Sequence, residues 1–276
     1  MRLILLTTLT MVAFAANSIL NRMAVADGLI GAEAFALIRV IAGAVMLAVL
    51  MKGQGLLQRP SIWGVLGLST YLVGFSQAYI GLDAGLGALI LFGMVQVTMF
   101  AGALLRSEAV PPQRWLGMVI AFCGLTFVLL RGLPAGGSLQ QGVLFMALAG
   151  IGWGIYSLIG QKVTDPRAAT ARSFLWSVPL VALASLGAFF QMAPTGVALA
   201  VLSGAVTSGL GYALWYAILP SLGASRAAVA QLTVPVIAIA AGAALLGEVP
   251  GISFLIGSTV VLLGVALAAL AGPTRK

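Results

Sequence analysis

The chain contains no histidine, a single cysteine and only six acidic residues in 276. With Cys123 alone and no histidine, neither a cysteine/histidine metal site nor a disulfide framework can be assembled. The sequence also lacks a Walker-type phosphate loop, a catalytic triad, and an aspartate pair suited to phosphoryl or metal chemistry. No enzymatic activity and no cofactor are therefore expected. Charge of either sign is scarce, at 7% of residues against about 25% in soluble domains. Cys123 sits inside an apolar run and reads as a packing residue.

Apolar residues fill the space, at 61% of the chain. A helix of about 20 apolar residues crosses the roughly 30 Å hydrocarbon core of a bilayer. Ten such stretches are legible, at 3–23, 33–51, 61–81, 83–105, 113–131, 140–162, 169–191, 196–218, 224–246 and 251–271. Little chain is left over, so no soluble domain, long lid or regulatory tail is expected, and the lipid bilayer is the first partner. The opening 16 residues, with Arg2, an apolar run and Ala13-Phe14-Ala15, have the form of a secretory signal. Cleavage there would remove a span that has a counterpart in the second half, so the segment reads as the first helix.

The pI near 10.4 raises nucleic acid as a partner, but the basic residues have another explanation. With the N-terminus cytoplasmic, Arg2, Lys52, Arg59, Arg106, Arg114, Lys162, Arg167, Arg172, Arg226, Arg275 and Lys276 all fall inside, and only Arg22, Arg39 and Arg131 fall outside. That bias follows the positive-inside rule and places both termini in the cytoplasm of a bacterial-type inner membrane. Asp27, Glu33, Asp83 and Glu248 lie on the outer side.

The second half repeats the first at offsets of 139 and 140: Ser18 with Ser157, Phe35 with Phe174, Leu82 with Leu222, Glu108 with Glu248, Gly117 with Gly257 and Gly124 with Gly264. Five spans per half is an odd number, so the halves sit inverted, 1–134 against 135–276. Basic loops follow spans two and four in the first half but spans six and eight in the second, as inversion requires. Inverted repeats with a midplane site at their interface are a common plan of secondary transporters.

These residues carry a resemblance to a known family. Pro235, the run Ala243-Ala244-Leu245-Leu246-Gly247-Glu248, Gly257 and Gly264-Val265, with the first-half echo Leu104-Leu105-Arg106-Ser107-Glu108, Gly117 and Gly124, resemble the drug/metabolite transporter (DMT) superfamily of the EamA type. The likeness spans essentially the whole chain, and its narrowest form is to YddG-like amino-acid exporters. It implies an all-α integral membrane protein of ten transmembrane helices in two inverted five-helix repeats, alternating access, and export of amino acids or other small metabolites. Two departures stand out: Val234 precedes Pro235 where the family often has glutamate, and Val95 takes the first-half position of Pro235.

Polar and aromatic side chains at bilayer depth nominate the site. Asn17 and Asn21 share a face of span one, with Phe14 a turn earlier; they read either as a substrate wall or as helix-to-helix glue. Trp153 and Tyr156 occupy the equivalent span six beside Gly150 and Gly154, whose spacing suits a close helix crossing. Tyr71 and Phe75 in span three and Tyr212 and Trp215 in span eight are deep enough to line a cavity, whereas Tyr79 and Tyr216 read as interfacial belt residues. Aromatic walls suit apolar, aromatic or cationic ligands.

Gln96 in span four and Gln231 in span nine could supply amide groups. Pro235 would free the carbonyl of Val229 or Ala230 for an ammonium, or simply kink the helix with that carbonyl capped. Pro179 in span seven marks a second bend. Arg39 reads as part of an outer salt-bridge cluster with Arg22, Asp27, Glu33 and Asp83, or as a carboxylate anchor or gate. No acid lies near the midplane, which disfavours a carboxylate proton relay. The reading is an exporter of amino acids or similar small molecules, monomeric or weakly dimeric, with efflux of cationic drugs as the alternative.

Overall fold

A computed structural model describes residues 1–105, 110–132, 137–160, 163–186 and 192–270. Arg106, Ser107, Glu108, Ala135, Lys162, Arg275 and Lys276 lie outside the described residues, as do the side chains of Arg131, Tyr216 and Arg226. The helices are α1 (Arg2–Ala26), α2 (Ala32–Leu50), α3 (Ile62–Ala78), α4 (Ala84–Leu105), α5 (Pro112–Gly132), α6 (Gly137–Gly160), α7 (Pro166–Ala184), α8 (Pro194–Leu202), a π-helical stretch (Ser203–Leu210), α9 (Gly211–Gln231), α10 (Thr233–Leu246) and α11 (Ile252–Leu270). Among the described residues there is no strand, only an isolated bridge between Ile30 and Met192.

Local chemistry sets several helix ends. The Ser61 hydroxyl accepts from the Gly64 N–H to start α3. Asp165 accepts from the N–H groups of Arg167 and Ala168, with Pro166 in the first turn of α7. Gly247 stops α10 at φ 68°, a left-handed conformation that glycine adopts without Cβ strain.

Among the described residues, seven helices are long and apolar enough to cross a membrane: Arg2–Ala26, Ala32–Leu50, Ala84–Leu105, Pro112–Leu130, Leu139–Gly160, Pro194–Trp215 and Ile252–Leu270. Expected spans three, seven and nine fall short. α3 has 17 residues, α7 carries Arg167 and Arg172 among several hydroxyl side chains, and α10 has 14 residues. The largest departure is between expected spans eight and nine. Helix continues from Pro194 through the expected loop to Gln231, and the break falls at Leu232. Pro235 lies in the first turn of α10, where a missing N–H costs nothing. It therefore marks a helix start, and the expected mid-span kink is not formed.

The bundle is apolar outside as well as in its core, with a minority of polar side chains buried among the apolar ones. Arg39, Asn17, Asn21, Ser76, Ser203 and Ser208 are buried, while Ile41, Val45 and Val49 on α2, Leu116, Val119 and Phe122 on α5, and Leu255, Ile256 and Leu263 on α11 are exposed. An apolar outer surface of that kind suits a lipid solvent. Cys123, expected to pack, is also exposed on α5.

Close helix crossings hold the frame. α5 packs on α11 through repeat-equivalent glycines: a Cβ added at Gly117 would lie 2.5 Å from the Gly264 carbonyl oxygen, and one at Gly124 2.8 Å from the Val261 nitrogen. α3 packs on α6 in the same way, with a Cβ at Gly152 falling 2.6 Å from the Gly67 oxygen. Gly150 and Gly154 admit α4 at Leu91, Met94 and Thr98. α1 packs on α8, the π-helical stretch and α9, α2 on α7, and α4 on α10.

Candidate functional site

The α3–α6 crossing brings the Tyr71 and Trp153 rings together, tilted 49° to one another. Tyr71 lies 4.9 Å from Trp153 between ring centroids, and Trp153 lies 4.9 Å from Tyr212. Phe14 of α1 closes the cluster edge-on, 5.5 Å from Tyr212, 6.3 Å from Trp153 and 5.9 Å from Trp215. Phe75 and Tyr79 extend it along α3, and Tyr156 extends it along α6. Such ring pairs contribute about 0.5–1.5 kcal/mol each beyond the area they bury. Inside the cluster is a cavity of about 20 Å³ lined by Phe14, Asn17, Ser18, Tyr71, Phe75, Leu91, Phe92, Trp153 and Tyr212. That volume holds about one water, so a metabolite requires the walls to move apart.

The polar wall is formed by α1 against the π-helical stretch. The Asn17 Oδ1 accepts from Ser203 at 2.8 Å, Thr207 at 2.5 Å and Ser208 at 3.4 Å, and its Nδ2 donates to the Thr207 carbonyl at 3.4 Å. π-helical turns are rare and concentrate at functional sites. Small residues let this one press against α2, where a Cβ at Gly204 would meet the Ala42 Cβ at 2.8 Å.

Arg39 of α2 is fully buried behind the aromatic wall. Its Nε donates to the Ser208 hydroxyl at 3.1 Å and its Nη2 to the Tyr71 hydroxyl at 2.8 Å. Its guanidinium carbon lies 5.2 Å from the Tyr71 ring centroid and 4.9 Å from that of Phe75. Arg39 therefore joins no salt bridge among the described residues, and of the expected cluster the Arg22–Asp83 pair forms. Among the described residues, Arg22 makes the ion pairs, to Glu248 at 2.9 Å and to Asp83 at 3.4 Å.

The two ends of the bundle differ. At one, Arg22 also donates to the Tyr79 carbonyl at 3.1 Å, Glu248 accepts from the Ala84 N–H at 2.8 Å, and Gln77 donates to Glu33. α1, α3, α4 and the turn after α10 are thereby cross-tied. At the other end a vestibule of about 160 Å³ is lined by Arg59, Ser61, Tyr156, Thr170, Arg172, Ser173 and neighbours. Tyr156, whose hydroxyl donates to Thr170 at 2.9 Å, stands between vestibule and cavity, with its ring 5.5 Å from Trp153.

Of the residues nominated from sequence, the structure gathers Asn17, Tyr71, Phe75, Trp153 and Tyr212 around one cavity, with Trp215 and Tyr156 against it. Asn21 lies off the cavity, donating to Ser76 at 2.9 Å. Gln96 and Gln231 are half-buried and do not line it. Pro179 is exposed on α7. The Ala230 carbonyl is capped by the Thr233 hydroxyl at 2.6 Å, which answers the ammonium reading of Pro235. Tyr79, expected in an interfacial belt, is fully buried against Phe75. Sequence reasoning missed Ser203, Thr207 and Ser208; the run Ser203-Gly204-Ala205-Val206-Thr207-Ser208-Gly209 is the signal, small and polar in the middle of a span.

Residues 140–270 match the EamA-like transporter family. An uncharacterised protein of Pseudomonas aeruginosa is 46% identical over 255 residues, which is 90% of this chain and 87% of the relative. The chain belongs to the EamA-like transporter family. As such it is a multi-pass membrane protein and a transporter, not an enzyme. This EamA-like chain is also 27% identical, over 69% of each chain, to a Salmonella typhimurium protein named "Probable amino-acid metabolite efflux pump". An Archaeoglobus fulgidus protein named "Uncharacterized transporter" is 26% identical over 73% of this chain and 74% of its own length. A solved structure shares the fold, with TM-score 0.66 at 20% identity and 96% of each chain covered.

Proposed function

We propose that this transporter is a secondary carrier of a bacterial-type inner membrane, exporting amino acids, aromatic and apolar ones included, or similar small metabolites by alternating access. Both termini are cytoplasmic, so the Arg22–Glu248 end faces out and the Arg59–Arg172 vestibule faces the cytoplasm. The observation that carries the reading is the small aromatic cavity, which draws its wall from α1, α3 and α4 of the first half and from α6 and α9 of the second. One end is tied by ion pairs and the other holds a vestibule. A cavity of that kind, at the seam of two repeats, is where a rocking carrier binds its substrate.

The repeat division at 1–134 and 135–276 is supported by the packing. α3 on α6 is matched by α1 on the α8–α9 region, and α4 on α6 by α1 on α10; α2 with α7 and α5 with α11 pair across the seam. Phe14, Tyr71, Phe75, Trp153 and Tyr212 supply stacking faces, and Asn17 and its hydroxyl partners form the polar wall. The break at Leu232 ahead of Pro235 is the hinge. The Salmonella relative's name agrees with export of amino-acid metabolites.

Organic-cation efflux fits less well. Arg39 is a buried charge with no counter-ion within 4 Å among the described residues, and a second cation about 5 Å away costs about 3 kcal/mol at an effective dielectric near 20. Among the described residues no carboxylate lines the cavity, so transport of neutral substrates persists without a pH gradient. The test is uptake of labelled amino acids and organic cations into proteoliposomes, with and without that gradient. Amino-acid uptake that Trp153→Phe weakens several-fold supports the reading. Uptake of cations alone, or strict dependence on a proton gradient, rejects it.

A further inference from the structure

Arg39 carries one more observation. Its Nε and Nη2 are used by Ser208 and Tyr71, but its Nη1, fully buried, has no hydrogen-bond partner among the described residues. An unneutralised guanidinium with an idle amine is costly at bilayer depth and marks a function. Its two ring contacts and two hydroxyl bonds are all neutral, and what it lacks is an anion. The Tyr71 hydroxyl spends a lone pair on Arg39, which leaves its own proton to donate. Tyr71 lines the cavity, with the Tyr212 hydroxyl 3.5 Å away.

We propose that Arg39 and the Tyr71 hydroxyl form a carboxylate-binding station, so that the substrate class is small amphipathic monocarboxylates, recognised by the carboxylate and the apolar body. This rests on the cavity being the substrate site. The substrate's carboxylate accepts from Tyr71 at the cavity wall and, once the walls part, from Arg39 Nη1 directly behind it, while its apolar part stacks among Phe14, Phe75 and Trp153. An ammonium group would find ring faces here, but the buried acceptor on α1 without a partner among the described residues, Asn21 Oδ1, does not line the cavity. Among the described residues no carboxylate lines the cavity, and the Asn17 oxygen is already taken by three hydroxyls. An α-amino group is therefore tolerated and not required. The vestibule repeats the charge preference, with Arg59 and Arg172 at its wall.

The experiment is calorimetric titration of the purified full chain in lipid nanodiscs with L-phenylalanine, 3-phenylpropionate, L-phenylalaninamide and phenethylamine. The two carboxylates are expected to bind at least about tenfold tighter than the amide and the amine, the value of a charge-assisted hydrogen bond. Arg39→Gln should remove that preference while keeping phenylalaninamide within about twofold, and Tyr71→Phe should reduce it by about threefold. If Arg39→Gln does not fold, the wild-type comparison decides alone. Amide or amine binding as tight as the acids, no binding of either acid, a preference that survives Arg39→Gln, or equal binding of chloride or phosphate would each overturn the proposal. Because binding is read, not transport, failure here is distinct from failure of the carrier reading, which proteoliposome uptake tests.

Discussion

The two ends of this bundle are held by different chemistry. At one, a charged side chain of α1 reaches two acids and two carbonyls on other elements, so four parts of the chain share Arg22. At the other, two arginines border the vestibule, and the Tyr156 ring, whose hydroxyl donates to Thr170, stands at the boundary with the cavity. The comparison teaches where the resistance to opening lies. The Arg22–Glu248 pair, only 21% and 13% exposed in its side chains, must be broken to open the first end, together with the Arg22–Asp83 pair, whose Asp83 is 61% exposed, whereas Tyr156 stands at the boundary of the second.

That contrast can be broken most strongly at Arg22. Arg22→Ala removes both ion pairs and leaves Glu248 half-satisfied, at a cost of about 2 kcal/mol to closure of that end after discounting for partial exposure. A shift of roughly thirtyfold in the opening equilibrium follows. It should appear as faster labelling of a cysteine placed at Ser76, in a Cys123→Ala background, by an impermeant thiol reagent; unchanged labelling would mean the ion pairs do not hold the end shut.

At the opposite end the expected effect is smaller. Tyr156→Phe loses one hydrogen bond, about 1 kcal/mol, and should open the vestibule toward Trp153. Labelling of a cysteine at Ser173 should rise only several-fold, and less than Arg22→Ala raises it at Ser76. Equal effects at the two ends would erase the asymmetry. Smallest of all, Leu263→Ala on the exposed face of α11 should change thermal stability by less than about 0.5 kcal/mol and labelling at neither end.

Much of the frame is legible in the sequence because a lipid solvent enforces long apolar runs. The bounds of α1, α2, α4, α5, α6 and α11 fall within a few residues of the expected spans. The region from 219 to 232 is not, because Ser221-Leu222-Gly223-Ala224-Ser225 reads equally as loop or as helix, and a proline looks the same at a kink as in a first turn. At the site, depth and ring type pointed to Tyr71, Trp153 and Tyr212, since large aromatics have few other reasons to sit at mid-span. Gln96 and Gln231 were nominated on polarity alone, which does not tell a helix's inner face from its flank. The partnership of Asn17 with Ser203, Thr207 and Ser208 spans 186 to 191 residues, and no local spacing announces it. From its place along the chain Arg39 reads as one of an outer cluster with Asp27, Glu33 and Asp83, or as a carboxylate anchor or gate; packing gives Asp83 to Arg22 and leaves Arg39 with hydroxyls and rings.

The central claim is that a single cavity at the seam of the two halves is opened to one side at a time. Counterflow tests it most directly: proteoliposomes preloaded with millimolar unlabelled phenylalanine are diluted into a trace of labelled phenylalanine. A carrier of this design gives a transient accumulation of label well above its equilibrium level, and Trp153→Phe lowers and delays that peak. Label that rises only to its equilibrium level, with no overshoot, would contradict the account and describe a pore.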